Sequence, residues 1–192
     1  MMGKAKNLLE NNNVNFSLRG ITSILIGIYI LLAAYAIKYF GDGFLNDENP
    51  VAFMSIEILE ILGVVLLIFV FIFSTLALFF SGRRNARKEG YFLWNKKTKV
   101  QRNTYLLLSF IFIIVFSFIN NISDSNFITP FFLIFYAVFT TVLNTSKNKN
   151  IYLIALLCLL LAIIVFLIPT YWYSSLLILG VAHIVNGIIS RT

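Results

Sequence analysis

Cysteine, histidine and charged residues are all scarce in this chain of 192 residues. Its one cysteine, Cys158, can form neither an intrachain disulfide nor a cluster of thiolate metal ligands. Charged residues make up 12% of the chain, about half of the usual quarter, and apolar residues make up 59%, against about 45–50% in a soluble domain. This composition excludes a soluble globular enzyme and a disordered tail.

The sequence patterns of familiar enzyme classes are missing as well. The chain contains no HExxH zinc motif, no Gly-x-Ser-x-Gly nucleophile elbow and no Walker A loop. No spacing of histidine with cysteine or aspartate indicates a catalytic or metal site. We therefore predict a protein that is not an enzyme and that holds neither a cofactor nor a metal ion.

Long apolar runs, in contrast, are abundant. A helix needs about 20 mostly apolar residues to cross about 30 Å of hydrocarbon. Six such runs predict an all-α, polytopic membrane helix bundle that forms a single domain over residues 1–192. The third run is the shortest, and its helix would have to stand nearly upright in the bilayer. The predicted spans are residues 17–40, 53–80, 104–119, 127–144, 151–168 and 172–189.

The distribution of basic residues predicts the orientation of these spans. Fourteen of the fifteen lysines and arginines fall in segments that six crossings place on one side, and Lys38 falls on the other. Because basic flanks are retained in the cytoplasm, we expect both termini inside the cell. The frequent use of asparagine, lysine, isoleucine and phenylalanine favours a bacterial inner (plasma) membrane.

One alternative concerns processing of the first span. Residues 21–32 form a compact apolar run behind basic residues, and Ala34-Tyr35-Ala36 has the small-x-small pattern of a signal peptidase site. The apolar run continues through Phe40, however, and the basic region before it is long for a signal peptide. We therefore favour an uncleaved first span over a mature chain that begins at Ile37.

The six spans divide into three helical hairpins, at residues 17–80, 104–144 and 151–189. The third and fifth spans begin alike, with RNTYL at residues 102–106 and KNIYL at residues 149–153. This similarity favours three parallel hairpin repeats. Anchoring of a basic residue and a tyrosine at the membrane interface would select the same pattern without duplication.

Two phrases in the outer spans carry a resemblance to a known family. RGITSILIGI at residues 19–28 and LGVAHIVNGII at residues 179–189 resemble the corresponding phrases of the HdeD acid-resistance membrane protein family. The resemblance implies six spans in three hairpin repeats and a small stress-associated membrane protein without catalytic residues. It implies no particular site residue.

Two carboxylates lie near the start of the second span. Glu57 and Glu60 are spaced i,i+3, so they share one face of a helix. Ionisable groups inside a span mark proton or cation sites. If the helix begins at Pro50, however, Ile61 to Phe80 already supply the length that crosses hydrocarbon. We favour an interfacial position for both carboxylates, with a buried ion or proton site as the alternative.

His183 is the only histidine, and it lies about 14 Å along the sixth span. Gly180, Asn186 and Gly187 share its helical face, which is therefore small and polar. We favour a role in close helix packing and hydrogen bonding. The alternative is a proton relay or pH sensor. The candidate polar site inside the membrane consists of Glu57, Glu60, His183 and Asn186.

The predicted cytoplasmic loop over residues 81–103 is the most basic segment. It holds eight basic residues and one acid, a charge of +7, which equals the net charge of the whole chain. Its first basic cluster can form a basic helical face, and an aromatic run separates this cluster from a second one. This pattern suits anionic lipid headgroups. The alternative is that these basic residues only direct the orientation of the chain in the membrane. A tethered loop of 23 residues has no room for a nucleic-acid binding site. The candidate lipid contacts are Arg83, Arg84, Arg87, Lys88, Trp94, Lys96, Lys97 and Lys99.

Two functional hypotheses follow from these features. The first is a non-enzymatic, stress-related or accessory membrane protein that binds lipid, a partner membrane protein or a second copy of itself. The alternative is a subunit of a transporter or channel for protons, cations or small molecules, with the candidate polar site along its route.

Overall fold

Six α-helices account for most of the described chain. The structure is a computed structural model and describes residues 16, 18–45, 56–90, 92–122, 127–142 and 150–190. Within these residues it contains no strand. The helices are α1 (Ile21–Leu45), α2 (Ile56–Glu89), α3 (Lys96–Ile122), α4 (Ile128–Val142), α5 (Asn150–Leu167) and α6 (Trp172–Ile189).

Three of these helices are long and apolar enough to cross a membrane. The segments are Ile21–Gly43, Lys96–Phe116 and Pro169–Ile189, and two shorter helices, Ile128–Val142 and Ile151–Leu167, are also apolar. Large apolar side chains cover the outside of the bundle, as α5 illustrates, where Leu167 is 71% exposed. An apolar exterior of this extent suits lipid rather than water. The all-helical fold is therefore that of a membrane protein.

The basic segment at residues 81–103 is mostly helical, because both flanking helices continue into it. α2 continues to Glu89 and α3 begins at Lys96, so the connection takes only residues 90–95. The third helix thus has 27 residues, about 40 Å, and it need not stand upright to cross the hydrocarbon. The apolar runs of the sequence did not predict these helical turns, because the turns consist of polar residues.

Two local signals limit the connection between α2 and α3. Gly90 has a φ of +72°, the left-handed conformation that commonly ends a helix. Asn95 caps the start of α3, because its Oδ1 accepts a hydrogen bond from the backbone N–H of Thr98 at 2.7 Å. The two basic stretches are therefore held by a short turn between capped helix ends.

The helices pack on one another in a defined order. α2 packs on α1, α1 on α6, α6 on α5, α5 on α4 and α4 on α3. The connection between α5 and α6 is short, because Ile168 is extended before Pro169 and a single 3-10 turn then leads into α6. The largely apolar core includes Leu133, Cys158 and Leu179, all fully buried.

Ring contacts and hydrogen bonds show which helix ends lie together. The Gly20 N–H donates to Ser190 Oγ at 2.9 Å, so the start of α1 meets the end of α6. Phe16 contacts the ring of Trp94 at a centroid distance of 5.4 Å, which brings the α2–α3 connection to the same end. We call this end, with the basic residues of α2 and α3, the basic end. Lys38 lies far along α1, over the ring of Tyr173 at 4.5 Å from its centroid.

The backbones of α1 and α6 approach each other closely at their glycines. A Cβ on Gly27 would lie 2.5 Å from the carbonyl oxygen of Gly180, and one on Gly187 would lie 2.7 Å from the carbonyl oxygen of Gly20. Distances this short leave no room for a side chain. The small face predicted on the sixth span is thus the face that packs on α1.

Replacing Gly27 by alanine is expected to lower the free energy of unfolding by about 1–3 kcal/mol, because the methyl group forces α1 and α6 apart. Unfolding of the purified protein in detergent measures the change. Gly41→Ala is the matched control in the same helix, since nothing lies within 4 Å of its Cβ position and alanine favours the helix. Equal stability of the two variants would contradict the proposed importance of the contact.

Candidate functional site: a buried polar cluster beside an apolar cavity

His183 is fully buried in α6, and both of its ring nitrogens have partners on other helices. Nε2 is 2.7 Å from the Tyr136 hydroxyl on α4, and Nδ1 is 3.2 Å from Ser23 Oγ on α1. The Tyr136 ring meets the imidazole edge to face, with centroids 5.5 Å apart. One imidazole therefore joins α1, α4 and α6.

Ser23 determines the direction of the hydrogen bonds around the imidazole. Its hydroxyl donates its single proton to the carbonyl oxygen of His183 at 2.7 Å. Ser23 Oγ must then accept from His183 Nδ1 and from Asn186 Nδ2, which is 3.1 Å away. A neutral imidazole with its proton on Nδ1 accepts at Nε2, so we infer that the Tyr136 hydroxyl donates to His183.

Asn186 extends these contacts toward the basic end. Its Nδ2 also donates to the carbonyl oxygen of Leu18, at 3.3 Å, just before α1. Its Oδ1 is buried and has no hydrogen-bond partner in the described part of the chain. Ser23, Tyr136, His183 and Asn186 form what we call the polar cluster.

The polar cluster overlaps only partly with the polar site predicted from the sequence. His183 and Asn186 belong to it, whereas Glu57 and Glu60 lie within α2 with side chains outside the described part of the structure. Ser23 was missed, although its position between Gly20 and Gly27 on α1 resembles the small face of α6. Tyr136 was also missed, and no local signal distinguishes it from its aromatic neighbours.

A cavity of about 100 Å³ lies beside the polar cluster, between α1, α2, α3 and α4. Tyr136 belongs both to its wall and to the cluster. The rest of the wall is mainly aliphatic and aromatic. Its lining includes Ile26 and Ile30 from α1, Val70 and Leu78 from α2, and Phe112 from α3.

Three hydroxyl groups on the cavity wall, those of Tyr105, Tyr136 and Thr140, are bound to other protein atoms. The Thr75 hydroxyl donates to a carbonyl oxygen of its own helix, so Tyr105 donates to Thr75 across the α2–α3 boundary. Thr140 donates to the carbonyl oxygen of Tyr136 at 3.0 Å, and Tyr136 donates to His183. Ser74 is the remaining hydroxyl on the wall. A cavity of this kind suits an apolar ligand better than an ion.

The candidate lipid contacts lie together at the basic end. Four of them occupy the last turns of α2 and three the first turn of α3, and all seven are exposed. Trp94 lies in the turn between the helices, and the guanidinium of Arg102 lies 5.2 Å from its ring centroid. The seven basic residues are Arg83, Arg84, Arg87, Lys88, Lys96, Lys97 and Lys99.

No group of three or more histidine, cysteine or acidic side chains that could hold a metal ion occurs among the residues that the structure describes. No protein family model, no curated protein and no solved structure matches the chain. The function proposed below therefore rests on the sequence and on the geometry of the side chains.

A double-mutant cycle of Tyr136→Phe and His183→Ala is expected to give a coupling energy of about 0.6 kcal/mol and at most about 1.7 kcal/mol. This is the range for hydrogen bonds between membrane helices. Unfolding of the single and double variants in detergent measures it.

Tyr29→Phe provides the matched control for that cycle. Tyr29 lies on α1 with its ring against Phe73 of α2, at a centroid distance of 5.7 Å. It should therefore show no coupling to His183→Ala. Equal coupling for both tyrosines would show that the Tyr136–His183 bond contributes nothing specific.

Proposed function

We propose that this protein is a small, non-enzymatic integral membrane protein with six transmembrane helices, and that its basic end binds anionic lipid. α2 has 34 residues, ample length for a span. α4 and α5, with 15 and 18 residues, are about 22 and 27 Å long. They fit a bilayer if they stand upright or thin it locally.

The orientation we propose has the basic end and both chain termini in the cytoplasm. The basic residues of α2 and α3 lie together at one end. Lys38 lies over Tyr173, which is the second residue of α6 and therefore lies at the opposite end of that helix from Ser190. The retention of basic flanks inside the cell supports this orientation. In a bacterial plasma membrane, the basic end would face the inner leaflet, where anionic headgroups attract lysine and arginine.

The placement of two basic stretches on adjoining helix ends is the observation that carries the proposal. Gly90 and Asn95 hold the ends of α2 and α3 a few residues apart, so their cations lie on neighbouring helix ends. Trp94 packs between them on the rings of Phe16 and Phe79. Such an aromatic group beside cations suits the boundary between headgroups and acyl chains.

The position of the lysines in α3 favours ligand binding over local helix stability. Lys96, Lys97 and Lys99 lie in the first turn of α3, which contains no acidic residue. The positive end of the helix dipole disfavours cations there, by about 0.3–1 kcal/mol each. An anionic phosphate at this helix end would interact favourably with both the lysines and the backbone N–H groups.

An accessory, stress-related role is the wider function that we propose for this lipid binding. The resemblance to the HdeD acid-resistance membrane protein family supports that role and an arrangement in three hairpin repeats. A partner membrane protein or a second copy of the chain would have the broad apolar exterior available for contact.

Replacing Lys96, Lys97 and Lys99 by glutamine is expected to weaken binding of phosphatidylglycerol roughly 100-fold, since each cation near the surface contributes about 1 kcal/mol. Titration of the detergent-purified protein with a fluorescent phosphatidylglycerol measures the change, with phosphatidylcholine as the neutral comparison. Added salt should produce a similar loss in the wild-type protein.

Single variants supply the matched control for this experiment. Lys97→Gln should weaken phosphatidylglycerol binding about fivefold, whereas Lys38→Gln, in α1 beside Tyr173, should leave it unchanged. Because lysines also direct membrane insertion, proteolysis of the loops verifies the orientation of each variant. Equal affinity of the triple variant and the wild type would refute lipid binding by the basic end.

Proton transport is the second candidate function, and the polar cluster favours it specifically. Hydrogen bonds connect Tyr136 on the cavity wall through His183 and Ser23 to Asn186, which lies beside Leu18 at the start of α1. Within this chain His183 is the group that can exchange a proton, since it accepts at Nε2 and donates at Nδ1, and histidines inside membrane proteins take part in proton relays. It is the only feature we put forward for transport, because the cavity wall itself is mostly apolar.

Under the lipid-binding proposal, vesicles that contain the purified protein should show the same proton flux as empty vesicles. A pH-sensitive dye inside the vesicles records the flux after an imposed pH gradient. Flux that exceeds the empty control, and that disappears in His183→Gln and Tyr136→Phe but persists in Tyr29→Phe, would establish transport instead.

A further inference from the structure

We propose that the cavity between α1, α2, α3 and α4 binds one acyl chain of an anionic lipid. The inference rests on the proposed function, which supplies the headgroup contacts at the basic end. It adds a second, apolar half to the lipid site and thereby distinguishes a specifically bound lipid from the surrounding bilayer.

The size and lining of the cavity suit hydrocarbon. Its volume of about 100 Å³ is roughly two-thirds of that of a well-known engineered apolar cavity of about 150 Å³, which stays dry and binds benzene. On α2 its wall extends from Val70 to Leu78, eight residues or about 12 Å along the helix axis. A space of this volume fits the last few carbon atoms of a single acyl chain.

The chemistry of the wall argues against an ion or a polar solute as occupant. Tyr105, Tyr136 and Thr140 use their hydroxyl groups in bonds to other protein atoms. The surfaces that remain are largely the carbon atoms of aliphatic and aromatic side chains. An alkyl chain gains dispersion contacts on such a wall and requires no hydrogen bond from it.

The boundary between α2 and α3 offers an entrance from the bilayer. Tyr105 of α3 connects the two helices there, since its ring stacks on Phe71 at a centroid distance of 5.9 Å and its hydroxyl bonds Thr75. All three of these residues lie at or beside the cavity wall. Tyr105 therefore lies where an acyl chain would pass from the bilayer into the cavity.

The basic residues lie close enough to the cavity, along the axes of α2 and α3, to bind the headgroup of the same lipid. Leu78 on the cavity wall is five residues, about 7.5 Å, before Arg83 on α2. Tyr105 is six residues, about 9 Å, after Lys99 on α3. An acyl chain that enters between α2 and α3 would thus leave its phosphate between the cations of the same two helices, so charge complementarity selects an anionic lipid.

Photolabelling of the wild-type protein tests the inference directly. The probe is phosphatidylglycerol with a diazirine at the end of one acyl chain, in vesicles of phosphatidylcholine, with diazirine-labelled phosphatidylcholine as the comparison. We expect the phosphatidylglycerol probe to label cavity residues such as Ile26 and Phe112 more than the comparison lipid does. Labels confined to outward residues such as Ile28 and Ile72 would overturn the inference.

Variants that fill the cavity provide an independent readout. Ile26→Phe and Val70→Phe add bulk to the wall, and phosphatidylglycerol retained after purification should fall about fivefold because the chain loses its packing contacts. Ile28→Phe and Ile72→Phe are the matched controls, since these residues are 38% and 45% exposed on the same two helices. They should retain lipid as the wild type does.

The combined results separate this inference from the proposed function. If Lys96→Gln with Lys97→Gln and Lys99→Gln lowers lipid retention while Ile26→Phe and Val70→Phe do not, the cavity inference is wrong and headgroup binding stands. If the lysine variant has no effect and both probes label the cavity equally, the cavity holds acyl chains without selecting anionic lipid, and both proposals fail as stated. If the filled variants do not fold, the photolabelling pattern of the wild type decides.

Discussion

The contact between the backbones of α1 and α6 is the constraint on which the polar cluster depends. Without a Cβ on Gly27, Gly180 or Gly187, the two helices approach closely enough for Ser23 to reach both the carbonyl oxygen and Nδ1 of His183. In a bilayer the hydrophobic effect does little to hold helices together, so close packing and hydrogen bonds must do so. An imidazole without partners in hydrocarbon would be strongly destabilising, so the packing and the cluster support each other.

The other side of the bundle is built on a different principle. Phenylalanine and tyrosine rings of α2, α3 and α4 meet at varied angles, as where Phe112 contacts Phe135 at a centroid distance of 4.7 Å with an interplanar angle of 41°. Several of these rings line the cavity, among them Phe112, Phe135 and Phe139. The bundle therefore combines one close helix pair with an aromatic side that borders the cavity.

The sequence predicted the helices better than it predicted their contacts. Each apolar run corresponds to one helix, because hydrocarbon requires continuous apolar length, and the shared face of Gly180, His183 and Asn186 followed from helical periodicity alone. α2 and α3 extend several residues beyond the predicted spans, since the polar helical turns next to Gly90 and Asn95 carry no apolar signal. Ser23 and Tyr136 joined His183 only through the packing of three helices distant in sequence, and spacing within one helix cannot indicate such a meeting.

The pairing of α1 with α6 also has a consequence for the order of assembly. During synthesis α1 is made well before α6, because α2 to α5 lie between them in the chain. Until α6 is complete, Ser23 and the small face of α1 lack the partners that α6 supplies. The polar cluster can therefore form only as the last of these helices takes its place.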